Sequence, residues 1–232
     1  MAVVKGQARR ETEVRQRPNQ ISMRNEVKRK LIHLSSLGIP LLYWLLPKLT
    51  FLWLLLPATG IAIVIEVLRR FFPNFDVWFR QVFGSLLRPH ESGSRPEING
   101  ATFVLISACL CVLLFPKIIG ITSFTVLIVS DTASALYGRR FGKRKFLRKS
   151  VEGSSAFFVT AMMVVVFFAF LTGATWEFLL IGVVASIVGM VVEALSEGGS
   201  SIDDNLTIPT TFGGVLWLGL VLIDRSDLLK LL

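Results

Sequence analysis

Five carboxylates lie inside or at the ends of apolar stretches of the chain. They are Glu66, Asp131, Glu193, Asp203 and Asp204. An ionisable side chain inside a membrane costs free energy, so a carboxylate that is kept there is a candidate for function. Glu66 is followed by Arg69 and Arg70, and a structural ion pair explains that carboxylate equally well. For Asp131 the functional interpretation is the stronger one.

The segment after Asp131 combines glycines with a high density of positive charge. Residues 130–153 read SDTASALYGRRFGKRKFLRKSVEG, and seven of the residues from 138 to 152 are Lys or Arg. Asp131 and Gly138 are spaced to share one helix face with two small residues between them. Glycines permit close backbone approach, and Arg and Lys bind phosphate oxygens. A carboxylate beside such a loop can hold Mg²⁺ together with phosphate oxygens. The pattern therefore indicates phosphoryl or nucleotidyl transfer.

Other polar residues lie beside the apolar stretches. His33 is a candidate for binding phosphate, for acting as a base, or for an interfacial hydrogen bond. Glu97 directly precedes an apolar stretch and is expected to join the same polar layer as Glu66 and Glu193. The segment EALSEGGSSIDDNLTIP holds four carboxylates and no Lys or Arg, which indicates a metal or nucleotide site. The alternative is a solvated loop.

Seven apolar segments must position these residues. They are residues 31–47, 49–68, 100–116, 118–137, 153–172, 175–195 and 209–223. The chain has 232 residues, of which 53% are hydrophobic and 18% charged. A spanning helix needs roughly 20 apolar residues, so this composition excludes both a disordered chain and a soluble enzyme with a separate globular domain. We predict an all-α polytopic membrane protein with about seven transmembrane helices. A basic cytoplasmic tail (1–30) would precede a single transmembrane catalytic domain (31–232).

The positive charges predict the orientation of this domain. Nine Lys or Arg lie in residues 1–30, five in 69–99 and seven in 138–152, out of 25 in the chain. Such residues collect in cytoplasmic loops, so we predict a cytoplasmic N-terminus and a cytoplasmic active site. The net charge of +9 is then attributed to membrane topology rather than to nucleic acid. The basic face is expected to attract anionic lipid.

An additional helix is predicted between the second and third apolar segments. Apolar residues recur with helical spacing from Phe75 to Leu87, and the other face of this segment is polar. Pro73 and Asn74 supply a plausible start. The pattern predicts an amphipathic helix in the cytoplasmic interface, which serves as an anchor or helps to admit a lipid.

Four segments of the chain resemble one family of membrane enzymes. SDTASALYGRRFGKRKFLRKSVEGS resembles the central motif of the dolichol kinase, phytol kinase and CTP-dependent diacylglycerol kinase family, and RKLIHLSSLG, RPEINGATF and DDNLTIP resemble its other motifs in the same order. The resemblance covers roughly residues 24–215. It implies a polytopic enzyme that phosphorylates the hydroxyl of a polyprenol, phytol or diacylglycerol, with CTP as phosphate donor and a divalent cation. Ser130 stands where the family usually has glycine before the aspartate.

The resemblance carries over by position to Asp131, Gly138, Arg139, Gly142, Lys149, Ser150, Glu152, Gly153, Asp204 and Asn205. Together with the charge and polarity patterns above, it leads to the following expected roles. The expected catalytic residues are Asp131, Lys149, Glu152 and His33. The expected nucleotide-binding residues are Gly138, Arg139, Arg140, Gly142, Lys143, Ser150 and Gly153. Asp131 with Asp203 or Asp204 is expected to hold Mg²⁺. Glu66, Glu97, Glu193 and Asn205 are expected to complete the polar layer.

Two other functions stay open at this point. The family is similar to CTP:phosphatidate cytidylyltransferases through the same central motif, and such an enzyme would make a CDP-lipid. Those enzymes carry a PGHGG-like segment that this chain lacks, which favours the kinase. A non-enzymatic lipid transporter or scaffold is disfavoured because the ionisable residues gather at one face rather than at the bilayer midplane. A bacterial inner membrane, or an equivalent membrane, is the expected location.

Overall fold

The computed structural model describes residues 23–84, 87, 98–196 and 203–225, and in these residues the chain is almost entirely helical. The helices are α1 (Met23–Ser35), α2 (Gly38–Leu45), α3 (Lys48–Phe71), α4 (Pro73–Phe83), α5 (Gly100–Leu114), α6 (Lys117–Phe141), α7 (Val151–Thr172), α8 (Trp176–Leu195) and α9 (Asp204–Leu222). A two-stranded antiparallel hairpin, β1 (Lys145–Phe146) and β2 (Lys149–Ser150), joins α6 to α7. The predicted all-α class therefore holds apart from this short hairpin.

Five of these helices are long and apolar enough to cross a membrane. They are α3, α6, α7, α8 and α9. Helix α5 is apolar but has only 15 residues. The predicted count of seven spans is thus not confirmed in the part of the chain that the structure describes.

The first predicted span differs most from the structure. Residues 31–47 were expected to form one segment, but the chain turns at Ser36 and Leu37 between α1 and α2. Helix α2 has eight residues, about 12 Å at a rise of 1.5 Å per residue. That is well short of the ~30 Å hydrocarbon core of a bilayer. Helix α1 begins at Met23, so it crosses the predicted boundary between tail and domain at residue 30.

The remaining helix ends follow local sequence signals. Pro47 and Pro116 directly precede α3 and α6, and Gly173 ends α7 with a left-handed φ of 66°. Ser150 caps α7 by accepting a hydrogen bond from the amide of Gly153. The last helix begins five residues before the predicted start, so Pro209 lies inside α9 rather than at its first position.

Helix α6 is the centre of the molecule. It packs against α1, α2, α5, α7 and α9, and most of its residues are buried. Ile118, Ile119, Val126, Leu127 and Ile128 are fully shielded and form its part of the core. Because α6 is buried along most of its length before Tyr137, a polar residue on its buried face contacts other helices rather than lipid. Asp131 lies in this helix, ten residues before its C-terminal end at Phe141.

Candidate active site

Asp131 is buried against the N-terminal helix. Its carboxylate accepts a hydrogen bond from the Nζ of Lys30, which also lies 3.4 Å from the carbonyl oxygen of Asp131. The Nε2 atom of His33 lies 3.7 Å from Oδ2 of the same carboxylate. Lys30 and His33 are three residues apart on α1, so both face α6. The two separately predicted candidates Asp131 and His33 are thus brought together, and Lys30 lies beside them between α1 and α6.

Lys30 and Glu26 are site residues that the sequence did not single out. Lys30 was counted among the charges of the tail, yet only 2% of its surface is exposed. A signal was present, because Glu26, Arg29, Lys30 and His33 have the spacing of one helix face. That face lies upstream of the apolar segment, where charged residues are usually solvated.

Lys149 approaches from the hairpin and has its own buried carboxylate. Its Nζ donates to Oε1 of Glu193, a residue of α8 with no exposed surface. The hydroxyl of Ser134 donates to the same oxygen over 2.7 Å. Burial disfavours the charge of Lys149, but the carboxylates of Glu193, Asp131 and Asp204 around it raise its pKa above the usual lysine value. The carboxylates around Lys149 thus favour its cationic form.

A third carboxylate holds two arginines. Glu26 on α1 is buried; it accepts a hydrogen bond from Arg29 at 2.6 Å and lies 3.7 Å from Nη1 of Arg139 at the end of α6. Arg140 and Lys143 are exposed, and the Arg140 guanidinium lies 5.4 Å from the ring centre of Phe141. The cations of this end thus divide into buried ones with carboxylate partners and exposed ones at the surface.

The hairpin uses its own backbone amides. Lys143 and Arg144 donate their amide hydrogens to the carboxylate of Glu152, at 3.0 and 3.3 Å. The amide of Gly142 donates to the carbonyl of Gly138, and that of Val151 to the carbonyl of Arg144. These amides are occupied by the protein, so phosphates would be bound here by side chains rather than by a backbone cradle. Glu152 orders the hairpin in this structure.

Glycines of the motif lie where α6 packs against α7. A Cβ on Gly138 would lie 3.0 Å from both the Cα of Gly153 and the Oγ of Ser150. A Cβ on Gly153 would lie 3.1 Å from the Cα of Gly138. A Cβ on Gly142 would collide with the carbonyl oxygen of Gly138. Close helix contact accounts for these glycines, and direct contact with a nucleotide stays a prediction for them.

The start of α9 lies at the same end of the molecule. Asp203 caps the helix, since its Oδ1 accepts the amide of Asn205 at 2.8 Å and the side-chain amide of Asn205 at 2.5 Å. Asp204 is buried, and its charge acts on both His33 and Lys149. The N-terminal ends of α7 and α9 therefore both lie at this end of the molecule. The positive ends of these helix dipoles favour the binding of anions.

The carboxylates at this end of the molecule would supply only some of the ligands that a hard cation such as Mg²⁺ needs. No group of three or more His, Cys, Asp or Glu side chains with metal-site geometry occurs in residues 23–84, 87, 98–196 and 203–225. An all-protein cage is therefore not seen there, whereas Mg²⁺ needs one or two carboxylates and takes its other oxygens from phosphate and water. Asp131 and Asp204 are both buried and lie near the same charged residues. This pair fits the need of Mg²⁺ for one or two protein carboxylates. Asp203 is engaged as a cap.

Glu66 belongs to a separate network. Its Oε2 pairs with Arg69 at 2.9 Å, and its Oε1 accepts hydrogen bonds from the amide and side chain of Asn99 and from Thr102. Arg69 also bonds Asp76 of α4 at 3.2 Å. Glu66 therefore links α3 to the start of α5 directly and to α4 through Arg69. These contacts support the structural interpretation of Glu66. Glu97 lies outside the described residues.

Known proteins with similar sequences are lipid kinases where their names state an activity. The chain is 30% identical over 187 residues to an uncharacterised protein of Rickettsia prowazekii, a match that covers 81% of this chain and 91% of the relative. It is 29% identical over 208 residues to CTP-dependent diacylglycerol kinase 1 of Saccharomyces cerevisiae, covering 80% and 70% of the two chains. It is 26% identical over 212 residues to the phytol kinase of a Synechocystis species, covering 84% and 79%. No protein-family model and no solved structure matches the chain.

Proposed function

Since this chain belongs to the family of membrane lipid kinases that includes CTP-dependent diacylglycerol kinase and phytol kinase, we propose that it transfers the γ-phosphate of CTP to the hydroxyl of a membrane lipid alcohol. It is an integral membrane protein of lipid metabolism. The acceptor belongs to the class of polyprenols, phytol and diacylglycerol. The similarity to cytidylyltransferases stays a prediction.

One observation carries the proposal. A carboxylate buried in the central membrane helix, Asp131, is surrounded by cations from two other elements, Lys30 on α1 and Lys149 on the hairpin. A purely structural ion pair needs one cation. A cluster that mixes buried carboxylates with several cations suits a metal-bound triphosphate, whose phosphates and metal bring both signs of charge.

The roles of the residues follow from their positions. Lys149 and Arg139 would neutralise charge on the transferring phosphoryl group, and exposed Arg140 and Lys143 would attract the nucleotide. Asp131 and Asp204 would hold Mg²⁺, which supplies charge neutralisation between the donor phosphates. Catalysis of this kind is positioning and electrostatic stabilisation.

The phosphoryl transfer requires a base for the hydroxyl proton, and His33 is placed to be that base. The lipid oxygen forms a bond to the γ-phosphorus while the bond from that phosphorus to the bridging oxygen breaks, which releases CDP. The hydroxyl proton must pass to a base. His33 lies beside Asp131, and its Nε2 is buried without a hydrogen-bond partner in the part of the chain that the structure describes. We assign proton acceptance to that nitrogen.

The location of the reaction follows from charge. The acceptor would enter sideways from the cytoplasmic leaflet, because the exposed lysines and arginines of the hairpin mark the cytoplasmic side. Anionic lipid would gather at the same face. A bacterial inner membrane is the proposed location.

The test is phosphate transfer by purified protein in lipid nanodiscs with Mg²⁺. [γ-³²P]CTP or [γ-³²P]ATP is offered with dolichol, a shorter polyprenol, phytol or diacylglycerol, and the organic-soluble label is measured. We expect label from CTP in one lipid class and none from [α-³²P]CTP. Label from [α-³²P]CTP with phosphatidate would instead identify a cytidylyltransferase.

The matched variants are Asp131→Asn, Asp204→Asn and Asp224→Asn. The first two should reduce transfer at least about 100-fold, as expected for loss of charge stabilisation at the reacting phosphate. Asp224 is exposed after α9, with a left-handed φ of 57° that asparagine also tolerates, and its variant should keep full activity. Near-normal turnover by Asp131→Asn, with normal elution on size exclusion, would refute the assignment of Asp131.

A further inference from the structure

Glu193 is a carboxylate with no direct access to a substrate. It lies in the last turn of α8, at the opposite end of this helix from Glu177, and none of its surface is exposed. A buried carboxylate in this setting costs free energy unless it is paired. Its cationic partner is Lys149, and removal of that lysine would leave the carboxylate uncompensated. The pair is therefore an obligate unit of the folded protein.

The contacts of Glu193 join three elements beside Asp131. Oε1 accepts from Ser134 of α6 over 2.7 Å and from Nζ of Lys149 on β2. Ser134 lies three residues after Asp131, on the same face of α6. The amide of Arg148 donates to the carbonyl of Ala194 over 3.2 Å, so the backbone of the hairpin is tied to the same turn of α8.

This arrangement restricts one flexible side chain. A lysine ammonium at the tip of four methylene groups samples many rotamers when it is free, and ordering it costs free energy at the moment of binding. Glu193 and Ser134 define where Nζ of Lys149 lies before any nucleotide arrives. About a fifth of the Lys149 side chain is exposed (21%), whereas the Glu193 side chain is completely covered.

We propose that Glu193 is a positioning residue that fixes Lys149 for binding the transferring phosphate. This rests on the proposed function, and it adds a residue that touches neither nucleotide nor lipid. Replacing Glu193 by Gln keeps the shape and the hydrogen bond to Ser134 but removes the charge that holds Lys149. This substitution should therefore change only the position of Lys149 and the kinetics toward the nucleotide.

The first measurement does not depend on activity. Acylation of lysine amines by an N-hydroxysuccinimide ester at pH 8 is followed by mass spectrometry for Lys149 and for the exposed hairpin lysines Lys143 and Lys145. The matched control is Glu177→Gln, on the same helix at its other end, where the carboxylate pairs with Arg225. We expect Lys149 to react about 5-fold faster in Glu193→Gln and no change at the other two lysines. Glu177→Gln should leave all three rates unchanged.

Two results of this labelling would overturn the proposal. An unchanged rate at Lys149 would mean that Glu193 does not restrain it. A rise at all three lysines would mean that Glu193 supports the fold of the hairpin as a whole. Ser134→Ala removes one hydroxyl and should raise the Lys149 rate by a smaller factor, with the other two rates constant.

A kinetic measurement tests whether the restraint on Lys149 acts on the reaction with the nucleotide rather than on the lipid alcohol. In Glu193→Gln we expect kcat/KM for the nucleotide to fall about 10- to 100-fold, as for loss of a charge-assisted hydrogen bond, while KM for the lipid alcohol changes less than about 2-fold. Glu193→Asp keeps the charge and should recover part of the loss. An equal loss toward both substrates would overturn the proposal. If the unmodified protein transfers no phosphate, the proposed function fails, and the labelling result still decides whether Glu193 positions Lys149.

Discussion

At the scale of single residues, Lys30 and Asp131 form an ion pair that is almost wholly shielded. The exposed fractions of the two side chains are 3% and 4%. Removal of one partner from a buried pair is costly because the other charge is left uncompensated, whereas removal of both is far less so. The pair therefore couples the N-terminal helix to the centre of the bundle.

A double-mutant cycle on this pair tests that coupling. Lys30→Met and Asp131→Asn should each lower the thermal stability in detergent. The double variant should lose less than the sum, with a coupling energy of about 1–3 kcal/mol. Lys48→Met, at an exposed position where α3 begins, should be nearly neutral. Additive losses within about 0.5 kcal/mol would contradict the pairing.

At the scale of elements, the amphipathic helix α4 is held by a buried arginine. Arg69 is 1% exposed, it bonds Glu66 and Asp76, and its guanidinium lies 4.4 Å from the ring centre of Phe79. Val77, Trp78 and Val82 stay exposed on the other side of the helix. The helix thus turns one face to the bundle and leaves an apolar face for the membrane interface.

Arg69→Met should release α4 from the bundle. Glu66 would be left buried without its cation, and Asp76 would keep only its pair with Arg80. Breaking a buried pair costs about 3–5 kcal/mol, so the amides of α4 should exchange hydrogen much faster. Arg70→Met changes the exposed neighbour and is the control. Exchange in α4 that stays as slow in Arg69→Met as in the control would show that the helix is held by its apolar contacts alone.

The sequence predicted elements better where composition and environment agree. The segments 49–68, 118–137, 153–172 and 175–195 correspond to α3, α6, α7 and α8 within a few residues, because long apolar runs have few alternatives in a membrane. Pro73 begins α4 as its position predicted. The sequence does not predict that α1 begins inside the basic tail, because Lys30 on its charged face pairs with Asp131, which lies 101 residues away in sequence.

The sequence also predicted part of the candidate site, and it missed the contacts that depend on the fold. Asp131, His33, Lys149 and Glu193 were named from their types and positions, and they lie together. The sequence alone did not separate Glu66, whose partners Asn99 and Thr102 come from a different helix. Nor did it show that the amides of the hairpin are occupied by Glu152, because that contact depends on the hairpin fold.

At the scale of the whole molecule, the two ends differ in charge and in chemistry. The C-terminal ends of α6 and α8 and the N-terminal ends of α7 and α9 meet at the basic hairpin. The opposite end holds the turn at Gly173 and an ion pair between Glu177 and Arg225 that closes α8 against the end of α9. The positive-inside rule predicts a cytoplasmic location for the hairpin and an outer location for this ion pair.

Single cysteines at the two ends test this orientation in intact bacterial cells. The natural Cys109 and Cys111 are buried and unpaired, so they are first replaced by alanine to give a background without thiols. Lys145→Cys and Asp224→Cys lie at exposed positions of the hairpin and of the outer end. A membrane-impermeant maleimide should label Asp224→Cys in intact cells and Lys145→Cys only after permeabilisation. The reverse pattern would place the phosphate-binding cations outside, where cytoplasmic CTP does not reach them, and the proposed kinase reaction would then lose its phosphate donor.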